Sequence, residues 1–279
     1  MLSDKINEEL LDRAGPQLKV VSTMSVGYEH LDLKALVERG VKVGYTPGVL
    51  TDAVADLNLA LLLALMRRIP EANNILAEDK AQQWSPSWML GSQISGKVVG
   101  VLGLGRIGKA TAKRVYGFNP GEMIYHSRHE PKFGPSDVLE PYLKLLKPAT
   151  FEEFLASSDI IFICTDLNPS TYHLFNSDTF KLVKRGVILV NTARGGIVDT
   201  KALISALDNG QVGGVALDVT EPEPLPSNHP IVTNYGNRVI LAPHLGSATQ
   251  ETRDAMGLLA IDNLEAGILG QPLPATMLN

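Results

Sequence analysis

The 279-residue chain predicts an α/β fold with a doubly wound parallel sheet and a smaller second domain. Three observations carry that expectation. Apolar runs of strand length alternate with helical spacing along nearly the whole chain. A strand, a glycine-rich turn and a helix follow one another at Val98-Val-Gly-Val-Leu-Gly103-Leu-Gly105-Arg106-Ile107-Gly108. Three further apolar runs each end in a polar segment: Asn191-Thr192-Ala-Arg194-Gly-Gly, Asp218-Val-Thr-Glu221-Pro-Glu223-Pro and Pro243-His244-Leu-Gly246-Ser247-Ala-Thr249. In open parallel sheets ligands bind beyond the carboxyl ends of the strands. Arg194, Glu223 and His244 are therefore expected to converge on one crevice. A cation, a carboxylate and an imidazole together suit acid–base chemistry on a small anion.

In chain order, Leu18 to Thr23 reads as a strand and Leu33 to Arg39 as a helix ended by Gly40. Val41 to Tyr45 is a strand stopped by Pro47-Gly48, and Thr51 to Met66 a long helix. Residues 80–95 form an aromatic loop with Trp84 and Trp88. Lys97 to Leu102 opens the second α/β series, with a helix from Gly105 to Tyr116 and a strand at Met123 to His126. The proline-rich stretch 129–148 reads as an irregular connection. Thr150 caps a short helix over Phe151 to Ala156. Strands at Ile160–Cys164 and Val187–Val190 alternate with helices at Asp178–Val183 and Thr200–Asp208, and two more strands follow. Gln250 to Gly267 has helical spacing, yet its apolar residues do not share one face.

Bulk properties narrow the function classes. The formal net charge is −5, with 44% apolar and 20% charged residues, which argues against a nucleic-acid partner. The run Leu57 to Met66 is too short to span a membrane and contains Asn58. The single cysteine, Cys164, lies in an apolar run and reads as a core residue in a reducing compartment. With no apolar leader at the first residues, cytoplasm is the expected location. No metal site is expected.

The glycine turn has the strand before it and the helix after it that a dinucleotide (Rossmann) fingerprint requires. Gly103 suits the tight turn, Gly105 a close approach to a pyrophosphate, and Gly108 close helix–strand packing. Amides at Arg106, Ile107 and Gly108 open the helix and favour phosphate. The next strand ends Tyr125-His126-Ser127-Arg128-His129, with no acidic residue to take a ribose hydroxyl. Arg128, beside Ser127, suits a 2′-phosphate, so NADP(H) is favoured and NAD(H) remains possible. Asp166, expected near the adenosine, weighs against that preference.

These segments, with Ser22-Thr-Met-Ser-Val26-Gly27, Val49-Leu-Thr-Asp52 and Leu225-Pro-Ser-Asn-His229-Pro, resemble the D-isomer-specific 2-hydroxyacid dehydrogenases over nearly the whole chain. The likeness is greatest to members that reduce glyoxylate and hydroxypyruvate. It implies a Rossmann domain over 50–248, including a helix and dimerisation loop over 50–95. It implies a flavodoxin-like substrate domain, lacking its first strands, from 1–49 and 249–279. By position, His244 is the proton donor, Glu223 orients it, and Arg194 holds the substrate carboxylate. Amides of Val26 and Gly27, together with Ser247, line the substrate pocket. Thr192, Asp218 and Gly246 lie at the nicotinamide end. Trp84 reaches a homodimer partner's pocket, unless Trp84 and Trp88 instead pack a domain joint. His229 reads as structural, and His30 and His173 as surface or loop residues. The lacking first strands imply reduced stability and weak activity. A non-catalytic dinucleotide-sensing, corepressor-like role is the alternative, and a phosphoglycerate dehydrogenase the third reading.

Overall fold

The computed structural model describes residues 4–132 and 141–277. Along the chain its elements are α1 (Glu8–Ala14), β1 (Val20–Ser22), α2 (Leu33–Glu38), β2 (Lys42–Gly44), α3 (Thr51–Met66), α4 (Ile69–Ala77), β3 (Val98–Leu102), α5 (Arg106–Tyr116), β4 (Glu122–His126), β5 (Leu146–Pro148), α6 (Phe151–Ser157), β6 (Ile160–Ile163), α7 (Thr179–Leu182), β7 (Val187–Asn191), α8 (Thr200–Asp208), β8 (Val212–Leu217), α9 (Pro230–Thr233), β9 (Val239–Leu241) and α10 (Gln250–Ile268). They divide into two units, Val54–Gly246 and the pair Met1–Ala53 with Ser247–Asn279. The divisions fall a few residues from the expected 49/50 and 248/249, so Ser247 belongs to the smaller unit.

The larger unit holds one sheet in the order β5-β4-β3-β6-β7-β8-β9, with every neighbouring pair parallel. The order runs outward both ways from β3 and β6, the doubly wound pattern with its crevice between those strands. The central strands are apolar on both faces. On β6, Ile161 and Ile163 join Phe154, Leu155, Leu203 and Leu207 from α6 and α8. Ile160 and Phe162 join Leu62 and Leu65 of α3 and Val115 of α5 on the other face. β8 divides the same way, with Val215 and Leu217 on one side and Ala216 on the other. This two-sided burial is why the strands read as unbroken apolar runs. Local caps fix the helix starts. Thr150 and Glu153 form a reciprocal capping box on α6, and the Asp199 side chain accepts from the first turn of α8.

Besides the short helices α1 and α9, three features depart from the sequence expectation. The stretch 129–148, expected to be irregular, contains the edge strand β5; residues 133–140 of it lie outside the described residues. β5 is three residues long and ends in Pro148, which only an edge tolerates, so no periodicity announces it. Second, α3 is followed by another helix, α4, after Arg68 turns through the left-handed region at φ 56. Pro70 sits in its first turn, where a missing amide costs nothing. Third, β9 is only half-buried along its length, although its sequence reads as a buried strand.

The smaller unit pairs β1 and β2 in parallel over a core of Ile6, Leu11, Val21, Leu31, Leu36 and Val43. α10 packs on this sheet with small residues. A Cβ on Gly267 would lie 2.5 Å from Val20 Cβ, and one on Gly44 would lie 2.6 Å from Asn263 Cβ. The fully buried Asn263 donates to Tyr45 O at 3.1 Å and accepts from Ala275 N at 2.9 Å. The apolar residues Leu258, Ile261 and Ile268 of α10 point to solvent. Close backbone approach, rather than an apolar stripe, seats this helix, which explains the missing single apolar face.

Candidate active site

The glycine turn at the end of β3 has the shape its three glycines require. Gly103 takes φ 88, and a Cβ there would meet the backbone of Thr165 at 2.9 Å. Gly108 lies so close to β3 that a Cβ would meet Gly103 O at 2.1 Å. Gly105 is the N-cap of α5 and has ordinary φ −78, with nothing within 4 Å of a Cβ position. The turn is thus packed where the fold needs contact and open where a pyrophosphate would approach. The first-turn amides of Arg106, Ile107 and Gly108 start a helix of 11 residues without a side-chain cap, a setting that favours an anion. A dinucleotide fits this cradle.

At the tip of β4, Ser127 is half-buried and Arg128 exposed. Arg128 donates to Ser170 Oγ at 3.1 Å and to His129 Nε2 at 3.1 Å. The Asp166 carboxylate accepts from Asn168 Nδ2 at 3.0 Å, and Asn168 Oδ1 accepts from Ser170 Oγ at 2.6 Å. His126 turns away from the rim. Its Nδ1 lies 3.0 Å from Ala149 O, and its ring packs on Phe151 and Phe154.

Beyond β7, β8 and β9 the three polar segments meet. Asn191 ends β7 and folds the Arg194 turn, donating to Arg194 O at 2.9 Å and accepting from Ala193 N at 3.0 Å. The half-buried Arg194 donates to Ala193 O at 2.7 Å. His244 Nδ1 lies 2.6 Å from Glu223 Oε1, and Glu223 Oε2 accepts from Thr220 N at 3.2 Å. Of the two glutamates in the segment, Glu223 is the one that meets His244. His244 takes φ 57, an uncommon conformation for a residue with a Cβ.

Asp218 holds that conformation. Its carbonyl accepts from His244 N at 2.8 Å, and its two carboxylate oxygens accept from Leu245 N at 2.6 Å and Gly246 N at 2.8 Å. The residue is 1% exposed, so Asp218 builds the turn under the imidazole. Burial pushes its carboxyl up, and the two amides partly offset this.

The hydrogen bond to Glu223 raises the His244 pKa above the ordinary histidine value. Burial opposes that rise, the charges of Glu223 and Asp218 add to it, and Arg194 subtracts. Burial would push the Glu223 carboxyl up, but His244 and the Thr220 amide outweigh it and the net shift is down. The pair therefore favours imidazolium beside carboxylate. Its Nε2 is then a proton donor next to a guanidinium, a combination able to protonate an oxygen on a carboxylate-bearing molecule.

Several residues sit elsewhere or do other work. Thr192, 8% exposed, donates to Asn58 Oδ1 at 2.9 Å; Asn58 Nδ2 donates to Thr111 Oγ1 at 3.0 Å. This buried triad ties α3, α5 and the end of β7, and its only sequence signal is an asparagine inside an apolar helix. Cys164 packs beside it, and burial pushes its thiol up to about 12, so it stays protonated. His229 caps α9, accepting from Ile231 N at 3.3 Å. His173, expected as a surface or loop residue, sits in a loop but pairs with Glu221. Trp84 is 78% exposed and Trp88 is half-buried. In the smaller unit, Val26 and Gly27 lie on the loop after β1, where Ser25 Oγ donates to Gly27 O at 2.7 Å. Ser247 is half-buried two residues before the Thr249 cap of α10. Among the described residues, no cluster of ligating side chains suits a metal and no helix is long and apolar enough to cross a membrane.

Comparison with known proteins agrees with this geometry. Residues 59–246 match the model of the D-isomer-specific 2-hydroxyacid dehydrogenase NAD-binding domain. The chain is 44% identical over 276 residues to glyoxylate reductase/hydroxypyruvate reductase of Mus musculus, covering 99% of this chain and 82% of that protein. It is 44% identical to glyoxylate reductase of Thermofilum pendens, covering 99% of this chain and 79% of that protein. A crystal structure of a Thermus thermophilus protein superposes with a TM-score of 0.89 at 42% identity, covering 99% and 83% of the two chains. The chain belongs to the D-isomer-specific 2-hydroxyacid dehydrogenase family, an oxidoreductase with a nicotinamide-dinucleotide-binding domain.

Proposed function

We propose that the chain reduces a small 2-oxo acid, glyoxylate or hydroxypyruvate, to glycolate or D-glycerate with NADPH. The observation that carries the reading is the 2.6 Å bond between His244 and Glu223, beside Arg194. A bound dihydronicotinamide supplies hydride to the 2-oxo carbon. His244 delivers its Nε2 proton to the oxygen, which becomes the hydroxyl. Glu223 keeps the ring oriented and charged until then. Arg194 holds the substrate carboxylate and stabilises charge developing on the oxygen. Val26, Gly27 and Ser247 complete the substrate's surroundings in this reading. Gly105 leaves room for the pyrophosphate on the turn that Gly103 and Gly108 shape, and Thr192 and Gly246 lie at the nicotinamide end in this reading, with Asp218 fixing the turn beneath. The names of the mouse and Thermofilum relatives support glyoxylate as substrate.

Arg128 and Ser127, with no acidic residue at the β4 tip, favour the 2′-phosphate of NADPH over NADH. Exposed Ile69, Leu76, Trp84 and Leu90 around α4 and its following loop favour a homodimer, with Trp84 facing the partner's substrate. A low cysteine count favours the cytoplasm. The test is a steady-state panel of NADPH and NADH against glyoxylate, hydroxypyruvate and pyruvate. Turnover of glyoxylate or hydroxypyruvate with NADPH preferred is the expected result. Tight dinucleotide binding with no turnover of any 2-oxo acid overturns the reading in favour of a dinucleotide sensor.

A further inference from the structure

His173 and Glu221 form a second histidine–carboxylate pair, with Nε2 and Oε2 2.8 Å apart, outside the chemistry described above. The backbone around His173 is zipped to the strip that follows Arg194. His173 N donates to Gly196 O at 2.8 Å, Phe175 N to Ile197 O at 3.1 Å, and Asp199 N to Phe175 O at 2.9 Å. The His173 side chain leaves that strip and reaches Glu221, two residues before Glu223. Its conformation is over-determined. The backbone takes φ 48, Asn176 Nδ2 donates to His173 O at 3.0 Å, and the Tyr172 ring stacks on the imidazole at 4.0 Å. On the other side, Thr200 Oγ1 donates to Glu221 O at 3.1 Å. Gly195 presses against the same segment; a Cβ there would lie 2.0 Å from Thr220 O.

We propose that His173 and Glu221 are positioning residues whose bond clasps the Arg194 loop to the Glu223 segment and so sets the spacing between the guanidinium and the proton-donating imidazole. The pair is a third or more exposed on each side, where ion pairs add little to fold stability. Geometry is what such a contact can supply. It joins two segments that each carry one reacting group, and misplacement of about 1 Å costs a large factor in rate. Glu221 is the glutamate of its segment that does not meet His244. Its contact with His173 gives it a different task beside Glu223.

The proposal rests on the reductase reading, so the test includes a readout that needs no turnover. The imidazole of His244, assigned against a His244→Gln spectrum, is titrated by NMR in the substrate-free protein. The charged groups acting on it are Glu223, Asp218 and Arg194. His173→Ala is expected to move that titration to lower pH and to cut kcat/KM for the 2-oxo acid about tenfold, with little change in melting temperature. His173→Gln, whose amide reaches the same oxygen, restores both. Glu221→Ala matches His173→Ala, and the double variant is no worse than either single one. The proposal fails if the alanine variants keep the wild-type titration and kcat/KM, if the double variant is additive, or if His173→Gln does no better than His173→Ala. Should His173→Ala not fold, His173→Gln against Glu221→Ala carries the same comparison. Wild-type protein that turns over no 2-oxo acid defeats the reductase reading, while the His244 titration still judges the clasp.

Discussion

The two ends of the cofactor crevice are built differently. At the His244 end, each side chain of the proposed chemistry is held by another group: Glu223 on Nδ1 of His244, Asp218 on the turn beneath it, Asn191 on the Arg194 turn. At the β4 end, Arg128 stands exposed, its guanidinium donating to Ser170 and His129. The contrast follows from what each end does in the proposed reaction. Proton donation depends on a pKa and an orientation, and both are lost with small displacements. Distinguishing a phosphate from a hydroxyl needs a charge within reach, which a solvated side chain supplies.

The sharpest way to break this contrast is to remove the donor. His244→Gln is expected to lower kcat about 10²–10⁴-fold while cofactor affinity, read by fluorescence, holds. A variant retaining a large share of wild-type turnover would remove His244 from the chemistry.

Glu223→Gln comes next. His244 is raised in the folded protein, so its charged form is held below the raised value and lost as pH climbs through it. Glu223 is lowered, so the pair breaks from the acid side only below that depressed value. Replacing the carboxylate with an amide removes the main cause of the His244 rise. The basic limb of the reductive kcat/KM profile should move to lower pH, with activity lost on its alkaline side. An unmoved basic limb would show that Glu223 does not tune the donor.

Much of this contrast was legible in the sequence, and the illegible parts have physical causes. The strands of the large sheet announced themselves because both faces of β6 and β8 are buried. The Arg194, Glu223 and His244 segments followed because polar residues after such strands can only lie at its carboxyl edge. α10 was legible as a helix but not as a packed face, because Gly267 and Asn263, not leucines, make its contact. β5 was too short and too near the edge to carry a period. The His173–Glu221 contact joins residues 48 apart in sequence and leaves no local pattern. Asp218, expected along the cofactor, also struts the His244 turn, because two consecutive amides face its carboxylate, a contact no local pattern announces.

Between the two ends, the glycine turn offers a pair of identical substitutions with opposite readouts. Gly108→Ala places a Cβ 2.1 Å from a backbone oxygen that packing cannot release, and should cost about 3 kcal/mol of stability. Gly105→Ala meets open space at an ordinary φ, so the melting temperature should hold while dinucleotide binding weakens. Calorimetry and fluorescence titration separate the two. Equal loss of stability would mean that Gly105 is not the open side of the cradle.

The smallest effect is expected at the exposed end. Arg128→Ala removes one charge-assisted contact to a 2′-phosphate, and such contacts are worth about 1.5–3 kcal/mol before solvent screening. At an exposed side chain the lower figure applies, about a tenfold rise in KM for NADPH. NADH, with an uncharged hydroxyl in that place, should change by less than about twofold, since it loses no ion pair. The ratio of the two changes is the informative quantity. If NADPH and NADH weaken together, Arg128 acts through the adenosine that both share, and its bonds to Ser170 and His129 mark it as a wall of the crevice. If NADPH alone weakens, the charge selects the cofactor.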